Sequence, residues 1–140
     1  FNIHEEQVRK VRIAAGGIQS TIRNSDLWNP LAHGIVSLQF LIHRVSRWTI
    51  TPVMIVSAFA TNLFLITESS LYTKLFLLQL VFHIAALTGY YLNKKQIKIR
   101  ALHVPFYFNF MHYCVVLGWF RYFKGKQSAV WQKATRLSYN

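Results

Sequence analysis

The chain has 140 residues, 16 Lys and Arg against 4 Asp and Glu, and a formal net charge of +12. Only 14% of its residues are charged while 53% are hydrophobic, where a soluble domain has about 25% charged residues. Length limits it to one domain, and low charge with long apolar runs points to a membrane protein whose cations face anionic lipid on the cytoplasmic side. A nucleic-acid partner is disfavoured, because the cations cluster at the ends of apolar runs. The single cysteine, Cys114, excludes an intrachain disulfide and a Cys-rich metal site. No apolar core of signal-peptide type occurs near the start, and Phe1-Asn2-Ile3-His4 reads as the interior of a longer protein, so the expectation is a C-terminal piece.

Residues 4–23 are expected to form a helix. Val8, Val11, Ile13, Ala15, Ile18 and Ile22 give a loose apolar stripe, and Arg9, Arg12 and Arg23 a basic one. Arg9 and Arg12 are three apart and share a helix face. Two guanidiniums there suit a phosphate or diphosphate, each offering a planar fork of donors. Gly16 and Gly17 remove bulk one turn later, which allows close approach to the backbone and a bend. The competing reading is a solvated basic turn at a membrane surface.

Asn24-Ser25-Asp26 is a turn or cap, and Pro30 opens a second helix over about 30–47. Its basic end, His43, Arg44 and Arg47 beside Trp48, fits a helix lying in the interface. Residues 48–67 carry no charge and are long enough to span a bilayer, which takes about 20 residues. Thr61 and Asn62, with His83 of the next span, are expected to point into the bundle. Residues 71–93 form the second span, with Lys74 near its start and Tyr90 and Tyr91 at its far end. For His83, a neutral imidazole bonded to a neighbouring helix is the commoner outcome and a functional role the rarer one. Lys94 to Arg100 reads as a cytoplasmic basic loop. The third apolar segment, 101–120, is interrupted by His103, Pro105, Asn109 and His112. The tail is basic again and contains Trp131. The positive-inside rule puts the basic regions in the cytoplasm, so the expectation is a cytosolic tail, with 101–120 bent or re-entrant at the membrane surface.

No Gly-rich phosphate loop occurs, no His pair has metal-helix spacing, and Asp26 is the only aspartate. By its own residues the chain is an all-α membrane module: interfacial helices over 1–47, a transmembrane region over 48–123 with two to three spans (48–67, 71–93, 101–120), and a basic tail over 124–140.

The order of these features resembles the C-terminal membrane region of bacterial family 2 glycosyltransferases, the processive group of hyaluronan, cellulose, chitin and poly-N-acetylglucosamine synthases. Arg9-Lys10-Val11-Arg12-Ile13-Ala14-Ala15-Gly16 falls where that family carries a glutamine, two residues, arginine, tryptophan and a following glycine. Arg12 matches the arginine and Gly16 the glycine; Arg9 replaces the glutamine and Ile13 the tryptophan. Asn29-Pro30-Leu31, His43-Arg44-Val45-Ser46-Arg47-Trp48, Gly125-Lys126-Gln127 and Trp131-Gln132-Lys133-Ala134 extend the match along nearly the whole chain. The resemblance implies inverting transfer from a nucleotide-sugar to a growing glycan or lipid-linked acceptor in the bacterial inner membrane. It implies a donor-diphosphate or acceptor role for Arg9, Arg12 and Gly16 and a contact from Trp131. The sugar-stacking role of the family tryptophan does not carry over, because Ile13 cannot stack. The GT-A catalytic domain, its aspartates and its divalent metal, Mg or Mn, would belong to an upstream part, so no catalytic residue and no metal site is expected in this piece, which alone should be inactive. The rival reading is a non-enzymatic integral membrane subunit or scaffold, basic only for topology.

Overall fold

The structure is a computed structural model that describes residues 3–97 and 99–125. Every regular element among them is helical: α1 (Ile3–Arg23), a 3-10 turn (Ser25–Trp28), α2 (Pro30–Phe40), a π turn (Leu41–Val45), the single turn α3 (Ser46–Trp48), α4 (Ile50–Phe64), α5 (Ser70–Lys94) and α6 (Arg100–Phe123). The tail residues from 126 onward, Trp131 among them, lie outside the described residues.

α1 begins with Glu5 and Glu6 in its first turn and ends with Arg23 in its last, both signs matched to the helix dipole. It is continuous through Gly16-Gly17, so the helix does not break there. The reason lies outside the helix. A Cβ at Gly17 would sit 2.7 Å from the Trp48 indole, so the glycine is a seat for that ring. The buried stripe also differs from the expected one. Ala14, Ala15, Ile18 and Thr21 are buried, while Val8, Ile13 and Ile22 are exposed. Small residues won the inner face because α6 approaches closely: a Cβ at Gly118 would meet the Ala14 Cβ at 2.7 Å.

The second interfacial helix is not one rod over 30–47. Asn29 caps it, its side chain accepting a hydrogen bond from the Leu31 N–H at 3.0 Å with Pro30 at the first position. Gly34 then adopts φ 55°, ψ −131° and breaks the helix within its first two turns. A π turn and α3 follow, and Thr49 leaves helical geometry before α4 begins.

The first expected span is shorter than its apolar run. α4 has 15 residues, Ile50–Phe64, and gives way at Leu65, against the roughly 20 residues a crossing helix needs. α5, with 25 residues, is the one described helix long and apolar enough to cross a membrane. The Ser69 hydroxyl caps it by accepting from the Leu71 N–H. The third segment is a continuous helix of 24 residues that runs through Pro105 without a break. Pro105 stands early in the helix, where the missing N–H costs one bond, and the Asn109 amide donates to its carbonyl at 3.0 Å.

α6 is the centre of the assembly. Ile3 and Val11 pack on the Phe106, Phe110 and Cys114 cluster, and Ala14 and Ile18 on Val115 with Trp119 and Tyr122, so α1 and α6 run parallel. α5 meets the other side of α6 antiparallel, through His83 with Asn109 and Gly89 against Leu102. α4 leans on α5 through Phe59 and Phe76, with ring centroids 5.4 Å apart. Among the described residues the buried core is small and rests on α1, α3 and α6 with Ala86 of α5, and Cys114 is 1% exposed inside it. Much of the apolar surface of α4 and α5 has none of the described residues against it: Val56, Leu78 and Val81 are all more than 60% exposed.

Candidate functional site

Successive residues of a helix step by about 100° around its axis. On α1, Ile3, Gln7, Val11, Ala14 and Ile18 therefore define the side turned to α6. Arg9, Arg12 and Gly16 fall together on the opposite side, with Glu5 and Arg23. Arg9 and Arg12 thus share a face as the spacing predicted, and Gly16 opens that face one turn on. Arg12 is half-buried and Ile13, at the family's tryptophan position, is 51% exposed.

Arg9 is engaged within its own helix. Arg9 Nη2 lies 2.7 Å from Glu6 Oε2 and donates a hydrogen bond to Glu6 Oε1 at 2.8 Å. The Glu6 hydrogen bond and charge hold its pKa above an already high ordinary value. Lys10 Nζ also stands 3.6 Å from Glu6 and 5.7 Å from the centre of the Tyr107 ring. Glu6 therefore neutralises part of the positive charge of the Arg-Lys-Val-Arg stretch, a role its sequence position did not announce.

His83 does bond to a neighbouring helix. Its Nδ1 lies 3.1 Å from Asn109 Oδ1. Because the Asn109 amide nitrogen already donates to the Pro105 carbonyl, Oδ1 is the free acceptor and His83 Nδ1 carries the hydrogen. Thr61 is exposed and Asn62 half-buried, so Thr61 does not point into the bundle. α4 touches α5 chiefly through Phe59, which leaves the Thr61 side outward.

A cavity of about 470 Å³ opens between the start of α1, the second half of α5 and the first half of α6. Gln7, His83 and Asn109 supply its amide and imidazole groups, and Tyr90, Phe106 and Tyr113 its aromatic faces. Amides with aromatic planes suit a polyhydroxylated ring, which needs hydrogen bonds at its edge and apolar contact on its face. Gln7 and Asn109 were not singled out as a pair in the sequence, since only the α1–α6 packing brings them to one space. Among the described residues no group of three or more His, Cys, Asp or Glu gathers in metal-binding range.

Compared with protein-family models, curated proteins and solved structures, the chain matches none.

Proposed function

We propose that this chain is the membrane part of a glycosyltransferase that moves sugar from a nucleotide-sugar donor to a growing glycan or lipid-linked acceptor. The observation that carries the reading is the outer face of α1, where Arg9, Arg12 and Gly16 lie together and turn away from α6. A catalytic domain resting on that face brings the donor diphosphate to Arg12. As the acceptor hydroxyl attacks the anomeric carbon, the bond to the diphosphate breaks and negative charge gathers on the leaving oxygens. A fixed guanidinium there favours that charge distribution over the ground state. Gly16 leaves room for the diphosphate to reach the helix. The cavity between α1, α5 and α6 supplies a polar and aromatic surface for the acceptor. The divalent metal of such enzymes finds no ligand set in the described residues, and nothing in these steps of the chain's own residues depends on it.

The same reading sets the membrane arrangement. α4 and α5 form an apolar hairpin in the lipid, with the cationic stretches at Arg44–Arg47 and Lys94–Arg100 at the cytoplasmic surface of the bacterial inner membrane. The ion pair of Arg9 with Glu6 favours the second reading, a non-enzymatic membrane subunit, since it turns that guanidinium to a carboxylate of the chain's own helix. Sugar incorporation separates the two. Membranes carrying the full-length protein are supplied with a panel of radiolabelled uridine- and guanosine-diphosphate sugars. Label entering polymer or lipid-linked product is expected; no incorporation from any donor favours the subunit.

A further inference from the structure

A second groove of about 440 Å³ lies between α3 and α6, away from the outer face of α1. Arg47 enters it from α3, while on α6 the 100° step per residue puts His103 and His112 at the two edges of its lining with Val104, Phe108 and Met111 between them. None of the four carboxylates of the chain, Glu5, Glu6, Asp26 and Glu68, lines it. The Arg47 guanidinium is set over the Trp48 ring at 5.3 Å from its centre, and Trp48 is fixed in turn by the hydrogen bond that Trp119 Nε1 donates to its carbonyl. His112 Nδ1 is buried and has no hydrogen-bond partner among the described residues. A buried polar atom without a partner is unfavourable, and a turn of the imidazole that presents it to a ligand oxygen in the groove relieves this. The apolar wall stays open to the surroundings: Val104 is 68% and Phe108 42% exposed.

We infer that this groove binds one acidic phospholipid, its phosphate held by Arg47 and His112 and its acyl chain laid along Val104, Phe108 and Met111. The charge asymmetry selects an anion. The continuous apolar wall selects an anion that carries a hydrocarbon chain over a soluble phosphate. Arg47 offers a forked pair of donors to the phosphate oxygens, and His112, as an Nδ1–H donor, offers one more. The position agrees with a headgroup at the interface, beside Trp48 at the start of the apolar run. This inference does not rest on the transferase reading; it needs only that the chain sits in a bilayer.

The full-length protein is reconstituted in vesicles of equal parts phosphatidylglycerol and phosphatidylcholine, extracted, and its retained lipid measured by mass spectrometry. Retained lipid enriched in phosphatidylglycerol is expected. The double variant Arg47→Gln/His112→Gln is expected to lose about tenfold of that enrichment, as loss of charge-assisted contacts predicts. Millimolar inorganic phosphate is expected to displace none of it. Equal retention of the two lipids by the wild type, unchanged retention in the double variant, or displacement by inorganic phosphate overturns the inference. A measurement on the unaltered chain guards against a misfolded variant. Phosphatidylglycerol with a photoreactive acyl chain is expected to crosslink to Val104, Phe108 or Met111, and crosslinks confined to α4 and α5 overturn it as well.

Discussion

Trp119 Nε1 donates to the Trp48 carbonyl at 2.7 Å, joining residues 71 apart in the chain. Thr49, immediately after, leaves helical geometry with φ −120°. This bond therefore anchors the joint between the interfacial segment and α4. Replacing Trp119 by Phe keeps a ring against Ala14 and Ile18 but leaves the carbonyl short of a donor. The expected cost is about 1–3 kcal/mol, read as a lowered melting temperature in detergent. An unchanged melting temperature means that the joint is held by other contacts. At this scale the sequence was informative about residue types and silent about partners. Cys114 in an apolar run is legible as a buried small residue, and His83 as a helix-to-helix bond. That Asn109 is the partner, and that Glu6 reaches both Arg9 and Lys10, depends on rotamers and on which helix face turns inward.

At the scale of elements, the interface between α5 and α6 turns on Gly89. A Cβ there would lie 2.7 Å from the Leu102 carbonyl oxygen and 2.8 Å from the Phe106 Cβ. Backbone oxygen cannot step aside as a side-chain tip can, so Gly89→Ala has to push the helices apart. Overpacking costs about 1–3 kcal/mol, and the gain in helix propensity returns at most about 1 kcal/mol. Sterics win, and Gly89→Ala is expected to lower the melting temperature while leaving membrane insertion unchanged. A raised melting temperature contradicts the close crossing. Helix existence was legible because caps and breakers are local. Ser69, Asn29-Pro30 and the polar turns mark their ends directly. Helix faces were less legible. Of the apolar stripe read on α1, Val11, Ala15 and Ile18 do face inward, but Val8, Ile13 and Ile22 are exposed, and the stripe left out Ala14 and Gly17 of the inner face. Close packing rewards small residues, and hydropathy gives them little weight. The interruption of the second interfacial helix needs φ 55° at Gly34, which many glycines adopt only when the surrounding chain asks for it.

For the whole molecule, the parallel course of α1 and α6 bears on topology. α1 carries Glu5, Glu6, Arg9, Lys10 and Arg12 within its first half. A plain crossing by α6 draws that charged turn toward hydrocarbon, at about 2.5–3.5 kcal/mol for each Arg or Lys near the bilayer centre. Even with Glu6 neutralising part of the charge, several such terms exceed what an extra apolar crossing returns. We therefore expect α6 to dip beside α5 as far as the His83–Asn109 contact and to return obliquely to the cytoplasmic side at the Trp119–Trp48 contact, and the chain beyond Phe123 to stay inside. A cysteine in place of Lys124, in a chain with Cys114→Ala, is expected to resist a membrane-impermeant thiol reagent on intact cells and to react after permeabilisation. Labelling of intact cells means that α6 crosses. The apolar and basic segments that frame this question were legible in composition alone. The pairing of α1 with α6 was not, because it joins residues about a hundred positions apart in the sequence.

The role of Arg12 is the central claim, and it is tested by transfer from the radiolabelled nucleotide-sugar that the full-length protein uses, measured in membranes with matched amounts of inserted wild type and Arg12→Ala. A charge-assisted contact to a leaving diphosphate in a water-poor site predicts a fall in turnover on the order of a hundredfold or more, with insertion unchanged. Wild-type turnover in the variant contradicts it.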